Sequence, residues 1–443
     1  MNKRQTSPQN AHLQPPSLAE TFWYWLKLGC ISFGGPAGQI AMMHRDLVEQ
    51  KRWISDKRFL HALNYCMVLP GPEAQQLATY IGWLMHGTRG GLVAGGLFVL
   101  PSMLLLMLLG FIYMAFGHVP ALAAILAGIK PAVVALVLFA AYRMGKRILK
   151  HPVLWGIAAL AFLAMLLKIA FPWVMLAAAA IGFVGQHVYP HIFNQKIGHA
   201  ASQNALVGAV IDDDTPTPPH AKFAISKALS ILAGGVFAVL LLLGGLTAVV
   251  GWQSIYTQMG WFFSKAALLT FGGAYAVLPY VAQDAVQHYG WLSAQQMMDG
   301  LALGETTPGP LIMVVTFVGF VGGWLHSGVL QPWQAGVLAA SIATFFTFLP
   351  SFIFIFAGAP LIESTKQNLK LNAPLTAITA AVVGVIVSLG VYLGMHVFVQ
   401  VGVLDWLAIG SSALAFVLLA RFNISVIKLI ALFAGLGLLH LWV

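Results

Sequence analysis

Two carboxylates stand beside helix-breaking tripeptides in a chain that otherwise carries few internal charges. Glu73 directly follows Pro70-Gly71-Pro72, and Glu305 lies three residues before Pro308 in Glu305-Thr306-Thr307-Pro308-Gly309-Pro310. Ionisable groups inside apolar segments are costly and tend to mark ion or proton paths, so both are candidate coupling groups. Glu73 fits a second role equally well, as an acid favoured by the dipole at a helix start. Glu305 precedes its break, where capping fits less well, and a coupling or ion-pair role gains weight. The breaks themselves suit an anion. Helices restarting after Pro36, Pro72 and Pro310 would aim free backbone N–H groups into the break. Gly34, Gly35, Gly71, Gly272, Gly273 and Gly309 let an oxyanion approach the backbone. Gln75, Gln76, Thr306 and Thr307 could add neutral donors. A second reading of the glycines stands beside this one: small residues also permit tight packing between membrane helices.

Three lysines complete the candidate set. Lys130 sits at the centre of an apolar segment and is followed by Pro131. Snorkelling to an interface works near helix ends and is a stretch from mid-segment, so an anion ligand and a snorkelling lysine both remain open. Lys265 is the only Lys or Arg between Lys227 and Lys366, and Lys27 is its partner in the repeat described below. That pair reads as a site or a structural pairing. Lys168, near a segment end, needs no role beyond snorkelling.

The elements that must hold these residues are membrane helices. Of 443 residues 59% are hydrophobic and only 8% are charged, with mean hydropathy +0.83, so a water-soluble surface cannot be built. Long uncharged stretches exclude a cytosolic enzyme, a disordered chain and a β-barrel. The net charge of +10 is uneven: 18 of the 23 Lys and Arg precede residue 228. They sit in short loops, which reads as a topology signal and not a nucleic-acid surface. Cys30 and Cys66 both lie in apolar stretches, and the 14 histidines show no ligand spacing. No metal site, cofactor, P-loop or His-Glu-x-x-His motif is expected, and no enzyme constellation. The polar start of the chain lacks the short apolar core of a signal peptide.

Thirteen apolar segments follow one another between residues 22 and 441, interrupted by a polar stretch containing Asp212-Asp213-Asp214 and several prolines. The expected organisation is a polar tail (1–20), a first half (21–190), a solvated cytoplasmic linker (191–227), a linker helix (228–258) and a second half (259–443). The halves match without gaps. One constant offset places Lys27 on Lys265, Phe33-Gly34-Gly35 on Phe271-Gly272-Gly273, Asp46 on Asp284, Trp53 on Trp291, Ser55 on Ser293, and one Pro-Gly-Pro on the other. Leu100-Pro101-Ser102 resembles Leu349-Pro350-Ser351 after an insertion. The loop 44–58 carries Arg45, Lys51, Arg52, Lys57 and Arg58, whereas its counterpart 282–298 carries no Lys or Arg. Loop cations stay cytoplasmic, so equivalent loops should lie on opposite sides, with the N-terminus cytoplasmic. The fold class expected is an all-α polytopic membrane protein whose halves form an inverted-topology repeat. Segments 22–43, 59–86, 259–281 and 299–325 hold the breaks and read as re-entrant hairpins. Four spanning helices would complete each half, and a tilted-span arrangement is the alternative.

The motif set resembles the chromate ion transporter family in its long, two-domain form. The resemblance rests on Ser32-Phe33-Gly34-Gly35-Pro36, Leu69-Pro70-Gly71-Pro72-Glu73-Ala74, Gly128-Ile129-Lys130-Pro131, Thr270-Phe271-Gly272-Gly273 and Gly304 to Pro310, and covers about residues 20–440. It implies efflux of chromate, with sulfate as a structural analogue, across a bacterial inner (cytoplasmic) membrane, and hence chromate resistance. The partners expected are a small inorganic oxyanion and the lipid bilayer, without nucleic acid; a homodimer is left open. Transport of another oxyanion such as sulfate, or an anion channel, is the alternative function.

Overall fold

The computed structural model describes residues 15–33, 35–193, 208–212, 215–216, 218–271, 273–364, 372–400 and 403–439. Gly34, Gly272, most of the polar tail and much of the expected linker lie outside them. The first half comprises α1 (Leu18–Ile31), α2 (Gly35–His44), α3 (Asp56–Cys66), α4 (Glu73–Phe116), α5 (Pro120–Ile148), α6 (Pro152–Leu166), α7 (Phe171–Val188) and a short α8 (Pro190–Phe193). The linker helix is α9 (Ile225–Val250). The second half comprises α10 (Ile255–Leu268), α11 (Ala274–Gln283), α12 (Ala294–Thr306), α13 (Val314–Leu325), α14 (Pro332–Ser364), α15 (Asn372–Phe398), α16 (Trp406–Phe422) and α17 (Val426–Leu439). A two-residue strand pair, Val399–Gln400 with Val403–Leu404, joins α15 to α16. Among the described residues, six helices are long and apolar enough to cross a membrane.

The identities between the halves are explained by local structure. Ser55 and Ser293 are N-caps, each accepting from the backbone N–H three residues on, Arg58 and Gln296. Asp46 and Asp284 lie in π-helical turns, Arg45–Gln50 and Asp284–His288, whose carbonyls close equivalent bonds from Lys51 N (2.8 Å) and Tyr289 N (2.9 Å). Trp53 and Trp291 then donate from the backbone to Leu47 and Ala285. Packing obeys the same exchange: α6 and α7 pack on α15, and α16 and α17 pack on α5, so each half covers the other's central helix.

The four broken segments are hairpins. α1 and α2 close at their outer ends, where Lys51 Nζ lies 3.7 Å from Glu20 and the Tyr24 and Trp53 rings are 5.3 Å apart. α4 reverses at His86 and at Gly87, whose φ of +63° an L side chain rarely adopts. Its inner arm, 73–86, forms a hairpin with α3. In the second half α12 folds back beside α13, with Gly300 against Phe317 and Gly304 against Val314. α10 and α11 join through Phe262 and Tyr280, 5.1 Å apart.

Two long helices relate these hairpins. Near its start α14 lies against α13, Ala335 beside Gly323; near its end Glu363 meets Arg58 of α3 and Tyr80 of the α4 inner arm. At 33 residues α14 is about 50 Å long. The outer arm of α4 does the converse, leaving the first-half hairpin where Gly90 touches Gly82 and reaching the second where Phe111 meets Trp324 at 5.8 Å. The hairpin bases of the two halves therefore lie at opposite ends of α14.

One described part of the linker packs against the first half. Ile211 pairs in parallel with Ile54, Ser55 N donates to Ile211 O (3.0 Å), and Ile211 is buried. An extended Val-Ile pair can satisfy the backbone of the 52–55 loop while hiding an apolar side chain, and the neighbouring acids do not prevent it.

Candidate functional site

The hairpin tips meet, and they do so across the halves. Gly71 N donates to Thr270 O (2.7 Å), and Gly309 N donates to Ser32 O (2.9 Å). Each Pro-Gly-Pro is thus tied to the Phe-Gly-Gly tip of the other half. Gly71 (φ +131°) and Gly309 (φ +105°) take conformations that favour glycine. A Cβ on Gly71 would collide with Ser351 Oγ and Gln76 Nε2, and one on Gly309 with Ser102. The two Leu-Pro-Ser motifs therefore back the two breaks in exchanged order.

Helix starts line this layer. α2 begins at Gly35 and α11 follows Gly273 (φ +99°); the α4 inner arm follows Pro72, and a short 3₁₀ turn, Leu311–Met313, leads from Pro310 into α13. No side chain caps the starts at Pro72, Gly273 or Pro310. Their first N–H groups and positive dipole ends face the breaks. Among the described residues, Ser32 Oγ, Ser102 Oγ, Gln39 Oε1, Gln75 Oε1 and Gln76 Oε1 are buried without a hydrogen-bond partner. Buried polar atoms without partners are costly; of these five the two serine hydroxyls can donate to an anion, whereas the three amide oxygens only accept.

The expected donors are arranged differently from the sequence reading. Gln76 Nε2 donates to Pro70 O (2.7 Å) and Gln75 Nε2 to Thr79 Oγ1 (3.0 Å). Thr306 and Thr307 donate to carbonyls of their own helix, Leu303 O (2.8 Å) and Gly304 O (3.1 Å). Of the four, only Gln76 bonds across a break; the other three bond within or at the end of their own helix. The hydroxyls left over belong to Ser32 and Ser102. Gln39, also absent from the sequence set, bridges Ser32 O (3.2 Å) and Gly309 O. The repeated Leu-Pro-Ser was the available signal for Ser102; Gln39 has none, since its repeat partner is Val277.

Both carboxylates reach the layer. Glu305 accepts from Tyr275 Oη (2.9 Å), and Glu73 Oε1 lies 3.9 Å from where a Gly273 Cβ would stand. Gly273 is the N-cap of α11 and Tyr275 its second residue, so each acid meets a residue at the start of that helix. Among the described residues neither makes an ion pair within 4 Å. Pro36, Pro70, Pro72, Pro308 and Pro310 all sit at the breaks, at or just before helix starts.

The lysines lie elsewhere. Lys27 is exposed on α1, and Lys265 Nζ stands 5.4 Å from the Trp261 ring. Lys130 Nζ lies 3.8 Å from Asp299 Oδ1, while Tyr113 Oη donates to Asp299 Oδ2 (3.0 Å). Removing one partner of a buried pair leaves the other charge uncompensated. Lys130→Gln should therefore cut transport roughly tenfold or more, and Lys130→Arg less. Adding Asp299→Asn to Lys130→Gln should restore part of the loss, read as initial flux in vesicles; no recovery would mean that the two side chains act separately.

A family model described as the chromate transporter matches residues 19–183 and 257–438, one copy on each structural half. The chain belongs to the chromate transporter family. A chromate transport protein of Pseudomonas aeruginosa is 34% identical over 358 residues, covering 81% of this chain and 76% of that protein. One from Cupriavidus metallidurans is 28% identical over 361 residues, covering 81% and 78%. A probable chromate transport protein of Synechococcus elongatus is 29% identical over 362 residues, covering 81% and 80%. No solved structure matches. The family assignment makes the chain a multi-pass membrane transporter, and its two matched regions coincide with the repeat that builds the break layer.

Proposed function

We propose that this protein is a secondary transporter that exports chromate across the bacterial cytoplasmic membrane, with sulfate as a competing analogue. The observation that carries the reading is the break layer, where uncapped helix starts and unpaired serine hydroxyls converge. A tetrahedral dianion accepts from several N–H and O–H groups at once, and neutral donors bind it without holding it too tightly to release. The relatives named as chromate transport proteins supply the substrate. The membrane potential, about 2.3 kcal/mol per charge per 100 mV, drives a dianion outward from an inside-negative cell. Donors of this kind read charge and shape, which chromate and sulfate share. Sulfate added in excess should therefore reduce labelled-chromate uptake into inverted vesicles, and uptake indifferent to sulfate would restrict the site to chromate. A channel would instead give single-channel currents.

Alternating access follows from an inverted repeat, with the N-terminus and the basic loop 44–58 cytoplasmic. Hairpin bases at opposite ends of α14 support this reading, as does the charge difference between the equivalent loops. Single cysteines at Gln50 and His288 should label from opposite sides of the membrane. Labelling from one side would remove the inverted arrangement.

A further inference from the structure

Two buried polar clusters stand outside the break layer, one toward each end of the molecule. At the first-half end, Arg58 Nη1 lies 3.8 Å from Glu363 Oε2, Tyr80 Oη donates to Glu363 Oε1, and the His61 ring contacts Ile362 O at 3.2 Å. At the second-half end, Lys130 and Tyr113 hold Asp299. Both central carboxylates are only 6% exposed. The clusters occupy corresponding places. His61 matches Asp299 in the repeat, and Tyr113 matches Ile362 through the Leu-Pro-Ser motifs, so the same two positions are bonded in both halves with different chemistry. Each cluster ties the second hairpin of one half to the long helix of the other, α3 to α14 and α12 to α4. Arg58 and Asp299 lie eight and seven residues from the ends of their helices at the breaks, about 10–12 Å along the axis.

Resting on the transport reading above, we infer that these clusters are the two gates of the translocation path, with Arg58, Tyr80 and Glu363 closing one end and Tyr113, Lys130 and Asp299 the other. A hairpin can swing away from the long helix of the opposite half only if its cluster opens. Both contacts are made in this structure, so neither hairpin has swung away from the long helix opposite it. Separating a buried ion pair is costly unless something compensates, so each gate is a discrete two-state contact. The first-half gate has an additional clasp, because Arg58 Nη2 also donates to Thr215 O of the linker (2.9 Å). These are positioning residues: they set which side reaches the site and need not touch the anion.

The test uses the full chain in a Cys30→Ser, Cys66→Ala background, with Thr306→Cys as reporter at the break. A membrane-impermeant maleimide is applied to right-side-out and inverted vesicles. Cysteines at Gln50 and His288, in separate samples, mark the two faces. Glu363→Gln should raise reporter labelling about tenfold from the face of the first-half hairpin bases, with no rise from the other. Asp299→Asn should do the reverse. Tyr80→Phe and Tyr113→Phe, which leave every charge in place, should shift labelling in the same respective directions by about threefold, and they carry the test if a charge variant fails to insert. Rises from both faces together, or no change in either tyrosine variant, would overturn the gates. Labelling needs no chromate. Face-specific shifts without chromate flux would therefore keep the gates and remove the substrate reading, whereas flux with unmoved labelling would do the opposite.

Discussion

Gly71→Val and Gly309→Val should each abolish chromate flux while the protein still reaches the membrane at normal yield. Two independent costs fall on the same atom. A β-branched residue at the positive φ of either position costs about 1–3 kcal/mol. A side chain placed against Ser351 and Gln76, or against Ser102, adds an overpacking cost of about the same size. Neither sum removes the apolar burial that holds the long helices. Both displace the peptide whose N–H ties one half's tip to the other's, Gly71 to Thr270 and Gly309 to Ser32. The collision is made by the Cβ itself, so alanine at either position should already reduce flux severely. Gly96→Val serves as control. That glycine lies in the outer arm of α4 with open space where a Cβ would go, and its substitution should leave flux near normal. Normal flux in both break variants would mean that the substrate does not pass through this layer.

Glu305→Gln should keep substrate binding and lose pH dependence. The carboxylate accepts from the side chain of Tyr275, a residue in the first turn of α11, whose uncapped start following Gly273 would hold an anion. A charged carboxylate and a dianion sharing that space repel each other by several kcal/mol at low effective dielectric. Tyr275 can relieve only part of this, through one hydrogen bond of 2.9 Å. Substrate and proton occupancy are therefore linked: apparent affinity for chromate should fall as pH rises through the carboxyl titration. The glutamine keeps the shape and removes the titration, so its flux should be flat with pH and insensitive to an imposed proton gradient. Outright loss of binding would make Glu305 a structural partner of Tyr275. Wild-type pH dependence in the variant would remove Glu305 from coupling and leave Glu73, on the other side of that turn, as the candidate.

The breaks are legible in the sequence because their cause is local. Pro-Gly-Pro and Phe-Gly-Gly cannot continue a helix, and their repetition at one offset announces two like halves. Ser55 and Ser293 carry their capping role in the residue type itself. What was illegible depends on contacts between distant residues. Nothing in the spacing of Lys130 pointed to Asp299, since the two lie on different halves and meet only because α5 and α12 pack together. Nor could spacing show that each Pro-Gly-Pro bonds the tip of the opposite half. Gln75, Gln76, Thr306 and Thr307 lie beside the breaks, but a side chain's donor can be taken by a neighbouring group: three of these donate to carbonyls and Gln75 to the Thr79 hydroxyl. The donors free for a ligand, Ser32 and Ser102, are ordinary residues whose burial makes them matter.

The most direct measurement is radiolabelled chromate flux into inverted vesicles containing the purified chain, under an imposed membrane potential. A lumen-positive potential, the equivalent of an inside-negative cell, should drive saturable accumulation of the dianion. Accumulation should fall when sulfate is added and vanish in Gly309→Val. Chromate that fails to accumulate at any potential, or that enters equally well in Gly309→Val vesicles, would contradict transport through the break layer.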